Sequence, residues 1–504
     1  MRLLCCLAAL VVLALQHQCH GLLLPLTNTM LSSLRGANGT ATPVHHLLRA
    51  SSLRSAARHG RHRARRSPPS PPSPGRHRQL SLPLSPGSDY TLSLSVGPAS
   101  AAAPVSLFLD TGSDLVWFPC APFTCMLCEG KPTPGRSGPL PPPPDSRRIP
   151  CASPLCSAAH ASAPPSDLCA AARCPLEDIE TGSCGASHAC PPLYYAYGDG
   201  SLVAHLRRGR VALGAGARAS VAVAVDNFTF ACAHTALGEP VGVAGFGRGP
   251  LSLPGQLSPQ LSGRFSYCLV SHSFRADRLI RPSPLILGRS PDDADAAAAE
   301  TDGFVYTPLL HNPKHPYFYS VALEAVSVGA ARIQARPELA RVDRAGNGGM
   351  VVDSGTTFTM LPNEMYARVA EAFARAMAAA GFARAERAEE QTGLTPCYRY
   401  AASDRGVPPL ALHFRGNATV ALPRRNYFMG FKSEDAGAGT RKDDVGCLML
   451  MNGGDASGEE GDGPAGTLGN FQQQGFEVVY DVDAGRVGFA RRRCTDLWDS
   501  LSRR

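Results

Sequence analysis

The chain has 504 residues, 44% of them apolar, so it can bury more than one core, and its length favours two or three domains in a soluble protein. Its formal charge of +8 would suggest a polyanionic partner, but no acidic residue precedes Asp89 while eleven arginines do. From residue 89 onward 38 basic residues face 41 acidic ones, so the body is mildly acidic and a nucleic-acid partner is not expected.

The basic stretch comes first and divides in two. Leu3 to Leu15 is wholly apolar behind Arg2, too short to span a bilayer as a helix, and is followed by Gln16-His17-Gln18. It reads as a secretory signal ending near Gly21, with a short buried helix as the alternative. Residues 22–78 are dominated by Arg, His, Ser and Pro, as in Arg61-His-Arg-Ala-Arg-Arg66 and Ser67-Pro-Pro-Ser-Pro-Pro-Ser-Pro74, and offer little for a core of their own. A leader or a tail is expected there.

Alternation begins after Gln79, and Tyr90 to Val96 has the period of a half-buried strand. Val105-Ser-Leu-Phe-Leu-Asp110-Thr-Gly-Ser113 then ends an apolar run on a carboxylate among turn formers. Gly349-Met-Val-Val-Asp353-Ser-Gly-Thr-Thr357 repeats that plan 243 residues later. Each reads as a buried strand that delivers an Asp where the chain leaves the core. One such tripeptide is ordinary turn material. Two in matching frames suggest paired carboxylates sharing a proton, one acting as general base on a water and the other as general acid.

Asp110-Thr-Gly-Ser-Asp-Leu-Val-Trp117 and Asp353-Ser-Gly-Thr-Thr357 resemble the motifs of pepsin-like aspartic proteases, most closely the plant nepenthesin-like branch, and the likeness covers nearly all of the chain after about residue 79. The resemblance implies a mainly β, bilobal pepsin-like acid protease fold with a cleft between two related lobes. It divides the chain into a signal peptide (1–21), a basic, Pro-rich propeptide (22–78), an N-terminal lobe with a Cys-rich insert and flap (79–300), and a C-terminal lobe (301–504). Asp110 and Asp353 would be the catalytic pair of an aspartic endopeptidase working in acid without metal or cofactor. Thr111, Gly112, Ser113, Ser354, Gly355 and Thr356 would support them.

Tyr194-Tyr-Ala-Tyr197-Gly-Asp-Gly-Ser combines strand formers with Asp199-Gly200, a tight-turn signal. In the family it would be the flap, with Tyr197 as its tyrosine and Trp117 holding that tyrosine; on spacing alone these remain a rim tyrosine and a core aromatic. Gly242-Val-Ala-Gly-Phe-Gly247 and Gly466-Thr-Leu-Gly-Asn-Phe471 are glycine loops, one after each Asp segment, which argues for two lobes of related build. The acidic, linker-like stretch from Asp292 to Gly303 places their boundary near 300. A helix is expected from Glu364 with Asn363 as N-cap and Met365, Val369, Phe373 and Met377 on its apolar face. Closing strands are expected at Glu477 to Asp481 and Arg486 to Ala490.

Nine cysteines between Cys120 and Cys190 bracket proline-rich loops. Cys125-x2-Cys128 lacks the second pair that zinc would need, so disulfides are expected. Eleven of the 14 cysteines beyond the leader precede residue 300 and three follow it, so if all pair, an odd number of bridges joins the halves. Cys268 with Cys494 across the lobes, and Cys397 with Cys447 within the second, are the expected pairs. Asn227-Phe-Thr and Asn417-Ala-Thr are glycosylation sequons, as is Asn38-Gly-Thr in the leader.

The expected protein is a monomer acting on peptide or protein substrates, with no stable membrane anchor, secreted to the extracellular space or cell wall, with the vacuole as alternative. The charge asymmetry further suggests that leader arginines dock on ionised cleft carboxylates at neutral pH and let go in acid, a plain linker being the alternative. No His-Glu-x-x-His or Gly-x-Ser-x-Gly supports a metalloprotease or serine hydrolase. The competing reading is a catalytically silent pepsin-like binding or inhibitor protein; two intact Asp segments and Tyr197 speak against it.

Overall fold

The computed structural model describes residues 22–28, 44–64, 90–128, 139–160, 189–197, 200–214, 222–238, 240–257, 264–271, 282–288, 303–401, 405–434, 442–454 and 463–502. The expected signal peptide, the Asn38 sequon and most of the 292–303 linker lie outside them.

The fold is mainly β. Tyr90–Val96 pairs antiparallel with Ala103–Asp110, and Tyr90, Leu92, Leu94 and Val96 point inward, as their alternation requires. The second strand runs parallel to Gly242–Gly245, with Asp110 opposite Gly245. Glycine is needed there, because a Cβ at Gly242 would meet Leu107 and the Trp117 carbonyl at 2.5 Å. The other half repeats the device, with Met350–Val352 running parallel to Gly466–Leu468. Each Asp segment thus leaves its sheet beside a glycine loop.

The two lobes share strands. Arg264–Cys268 pairs with Phe476–Asp481 over five residues, followed by Arg486–Arg491 and then Val305–Pro308. Phe265 and Tyr480 stack across this joint with centroids 4.6 Å apart. Cys268 and Cys494 are disulfide-bonded, fastening the end of a first-lobe strand to the C-terminal helix Cys494–Ser502, which the sequence reading did not foresee. The bridge closes a loop of 226 residues, so replacing both cysteines with alanine is expected to cost about 2–4 kcal/mol, read as a lower denaturant midpoint at unchanged slope.

Inside the second lobe, Asn363–Ala379 buries Met365, Val369, Phe373 and Met377. The expected N-cap is corrected: Pro362 occupies that position, and the Asn363 side chain instead accepts a bond from Asn452 at 2.9 Å. A proline with fixed φ starts the helix without a side-chain cap.

The leader is built into the body. Leu22–Asn28 adds an antiparallel strand to Ser283–Leu287, then reaches Tyr90–Val96. Val44–Ala64 is a helix whose buried face carries Leu47, Leu48, Ser51, Ser52, Ser55 and His59. Leu48 joins a second-lobe cluster with Phe358, Leu394, Phe431 and Phe471. The small serines let the helix approach closely, and Ser55 accepts a bond from the Phe358 amide at 2.9 Å. The leader helix thus packs its buried face into the core of the second lobe.

Candidate active site

Asp110 and Asp353 are both fully buried at the ends of matching strands. Their hydrogen bonds are near mirror images. Asp110 accepts from the Gly112 amide at 2.9 Å and the Ser113 hydroxyl at 2.5 Å. Asp353 accepts from the Gly355 amide at 2.8 Å and the Thr356 hydroxyl at 2.6 Å. Behind them Thr111 donates its hydroxyl to the Val352 carbonyl and Ser354 donates to that of Leu109, each at 3.0 Å, while each hydroxyl accepts the other's backbone amide. A Cβ at Gly112 would meet the Asp353 carboxyl at 2.7 Å and one at Gly355 would meet Asp110 at 2.5 Å. Glycine at both positions brings the two carboxylates together.

One guanidinium touches both. Arg58 from the leader helix bonds Asp110, lies 3.5 Å from Asp353 and donates to the Gly355 carbonyl at 3.0 Å. Nothing local singles it out among the eleven leader arginines.

Family profiles described as xylanase inhibitor N-terminal and xylanase inhibitor C-terminal match residues 90–288 and 318–491. A probable aspartyl protease of Arabidopsis thaliana is 55% identical over 446 residues, covering 84% of this chain and 85% of that protein. The chain belongs to the plant nepenthesin-like aspartic proteases. Nepenthesin-1 of Nepenthes gracilis is 29% identical over 418 residues, covering 81% of this protease and 78% of itself. Among solved structures, edgp aligns with a TM-score of 0.57 at 18% identity over 81% of this chain and 92% of its own. Conglutin gamma, a basic 7S globulin from lupine seeds, aligns at 0.54 and 20% over 80% and 91%. At that identity these two share the fold.

Beneath the dyad of this nepenthesin-like protease lies a polar network that the sequence reading missed. Tyr267 donates its hydroxyl to Gln473 and meets the Tyr480 hydroxyl at 2.7 Å, and Gln473 donates to the Leu468 carbonyl at 2.8 Å. Burial pushes both phenols above their ordinary range, so they remain protonated donors.

Asp114 is mostly buried beside the first glycine loop. Burial raises its carboxyl from 3.8 to about 7, against amide bonds from Gly249 and Leu251 that favour the charge. The unfolded chain releases this proton at the ordinary value, so the stability that Asp114 lends is complete below about 3.8 and lost as pH rises through about 7. The thermal midpoint should fall across that window, and Asp114→Asn should flatten the fall.

The strands Leu193–Tyr197 and Gly200–Gly214, where the flap was expected, form a hairpin with Tyr197 opposite Gly200. The Tyr197 side chain and residues 198–199 lie outside the described residues. Trp117 is buried in one cluster with Leu115, Ile149, Leu193 and Leu202, two of which come from the hairpin strands. Disulfides join Cys120 to Cys232, Cys125 to Cys128, Cys156 to Cys190 and Cys397 to Cys447. His160 lies 3.6 Å from Cys190, but both neighbouring sulfurs are committed to their mutual bond. Asn227 and Asn417 are exposed.

Proposed function

We propose that this aspartic endopeptidase cleaves peptide bonds through a water held between Asp110 and Asp353. One carboxylate takes a proton from the water as its oxygen attacks the peptide carbonyl. The other, protonated, gives its proton to the carbonyl oxygen. As the resulting diol collapses, the first carboxyl gives its proton to the amine nitrogen, one diol hydroxyl gives its proton to the second carboxylate and the C–N bond breaks, so both carboxyls regain their starting states. The observation that carries this reading is that a single guanidinium reaches both carboxylates, so one small molecule can do the same. Like charges this close do not both ionise cheaply; the pair titrates as a unit and suits acid conditions.

Arg58 occupies the place this water needs, which makes the leader an inhibitory propeptide in our reading. Five disulfides between described residues support an oxidising, extracellular setting, and no described helix is long and apolar enough to cross a membrane. The test is cleavage of a denatured protein by the full chain after acid treatment, with and without pepstatin, beside Asp110→Asn. Acid activity that pepstatin blocks and the variant lacks is expected; activity unchanged by that substitution rejects the dyad.

A further inference from the structure

The dyad chemistry leaves one neighbouring carboxyl unused. Asp114 stands four residues after Asp110, where the matching position after Asp353 holds Thr357. Its Oδ1 accepts the Gly249 amide at 2.6 Å, and the Leu251 amide also donates to the carboxyl. A Cβ at Gly249 would overlap that carboxyl, so the turn can come this close only as glycine. The same turn is fastened to the first dyad loop by backbone: Phe246 donates to the Asp110 carbonyl at 2.7 Å and Gly247 to that of Ser113 at 2.8 Å. Ser113 in turn gives its hydroxyl to Asp110.

The second lobe meets the same need from the opposite side. There Asn470, on the glycine loop, sends its side-chain amide to the Ser354 carbonyl at 2.9 Å, while the backbone amides of Asn470 and Phe471 donate to Thr356 and Thr357. Each lobe therefore ties its glycine loop to its dyad loop with one side chain, Asp114 in the first and Asn470 in the second. Asp114 and Arg248 both act electrostatically on the buried Tyr319 phenol.

Resting on the two-Asp reading above, we infer that Asp114 is a positioning residue for the dyad, holding the 247–251 turn against Ser113 and so fixing the hydroxyl that serves Asp110. A carboxyl accepting two amides gives that turn one position. Without it, the turn is held to Ser113 through backbone contacts alone, and the Ser113 hydroxyl favours the ionised form of Asp110 less well.

The test uses the acid-activated full chain carrying Asp114→Ala or Asp114→Asn, assayed on a fluorogenic peptide across pH. Beside them stands Leu253→Ala, which empties a buried position in the short helix Leu253–Leu257 of the same lobe. Asp114→Ala should lower kcat about 10- to 100-fold with KM within about twofold. Its acid limb should move up by roughly half a unit or more, because Asp110 then holds its proton more tightly. Asp114→Asn keeps one accepting oxygen and should fall between, and it decides alone if the alanine variant does not fold. Leu253→Ala should lower the thermal midpoint and leave the limb in place. Unchanged kcat and limb in the Asp114 variants overturn the inference, as does the same limb shift in Leu253→Ala, which would mean general loosening. An inactive wild type would instead remove the two-Asp reading itself.

Discussion

Exchanging Asp110 or Asp353 for asparagine should each lower kcat by about 10³- to 10⁴-fold, with the double variant no worse than either single one. The structure explains why the fold should tolerate these changes. The remaining amide oxygen can accept the Gly112 or Gly355 amide, and the new NH2 can donate to the Ser113 or Thr356 hydroxyl in place of receiving from it. What is lost is ownership of a proton, which an amide neither takes nor gives at working pH. Since the two carboxyls act on one water, removing either stops the exchange and the second removal has nothing left to take. Rates on a fluorogenic peptide, with the leader cleaved in trans so that self-processing is not required, would decide it. Losses that multiply in the double variant would mean that the carboxylates act separately, against a shared water.

How much of this was legible in the sequence follows from how far each interaction reaches along the chain. Asp110 and Asp353 were readable because strand, turn and hydroxyl partner all fall within a few residues, twice. The apolar face of Asn363–Ala379 was readable for the same reason, through its period; its cap was not, since Asn363 finds a better partner in Asn452. Tyr267 joins Gln473 and Tyr480, more than 200 positions away, in one buried network, and each alone reads as strand or loop material. Asp114 lay inside the motif itself, yet its meaning depends on a turn 135 residues away. The leader shows the limit most sharply. Its composition offered little for a core of its own, but a helix faced with serine and two leucines can pack where a host lobe offers one.

Removing the charge from Arg58 should be felt as loss of restraint. Arg58→Met keeps the length and apolar stem of the side chain and withdraws the guanidinium from two buried carboxylates. Breaking one side of such a buried pair costs about 3–5 kcal/mol, so the docked state of the helix should weaken by roughly 10²- to 10⁴-fold against release. The full-length variant should then cleave substrate without an acid step at the highest pH at which the activated enzyme works, where the intact chain is silent. Arg58→Lys should fall between, because one ammonium cannot span both carboxylates and the Gly355 carbonyl together. Ionised carboxylates hold the arginine and protonation releases it, so activation should run faster as acid is added. The rival restraint is apolar, through Leu48 on the second lobe. An Arg58→Met chain as silent as the wild type, together with release on Leu48→Asp, would assign the inhibition to that packing and leave the ion pair a passenger.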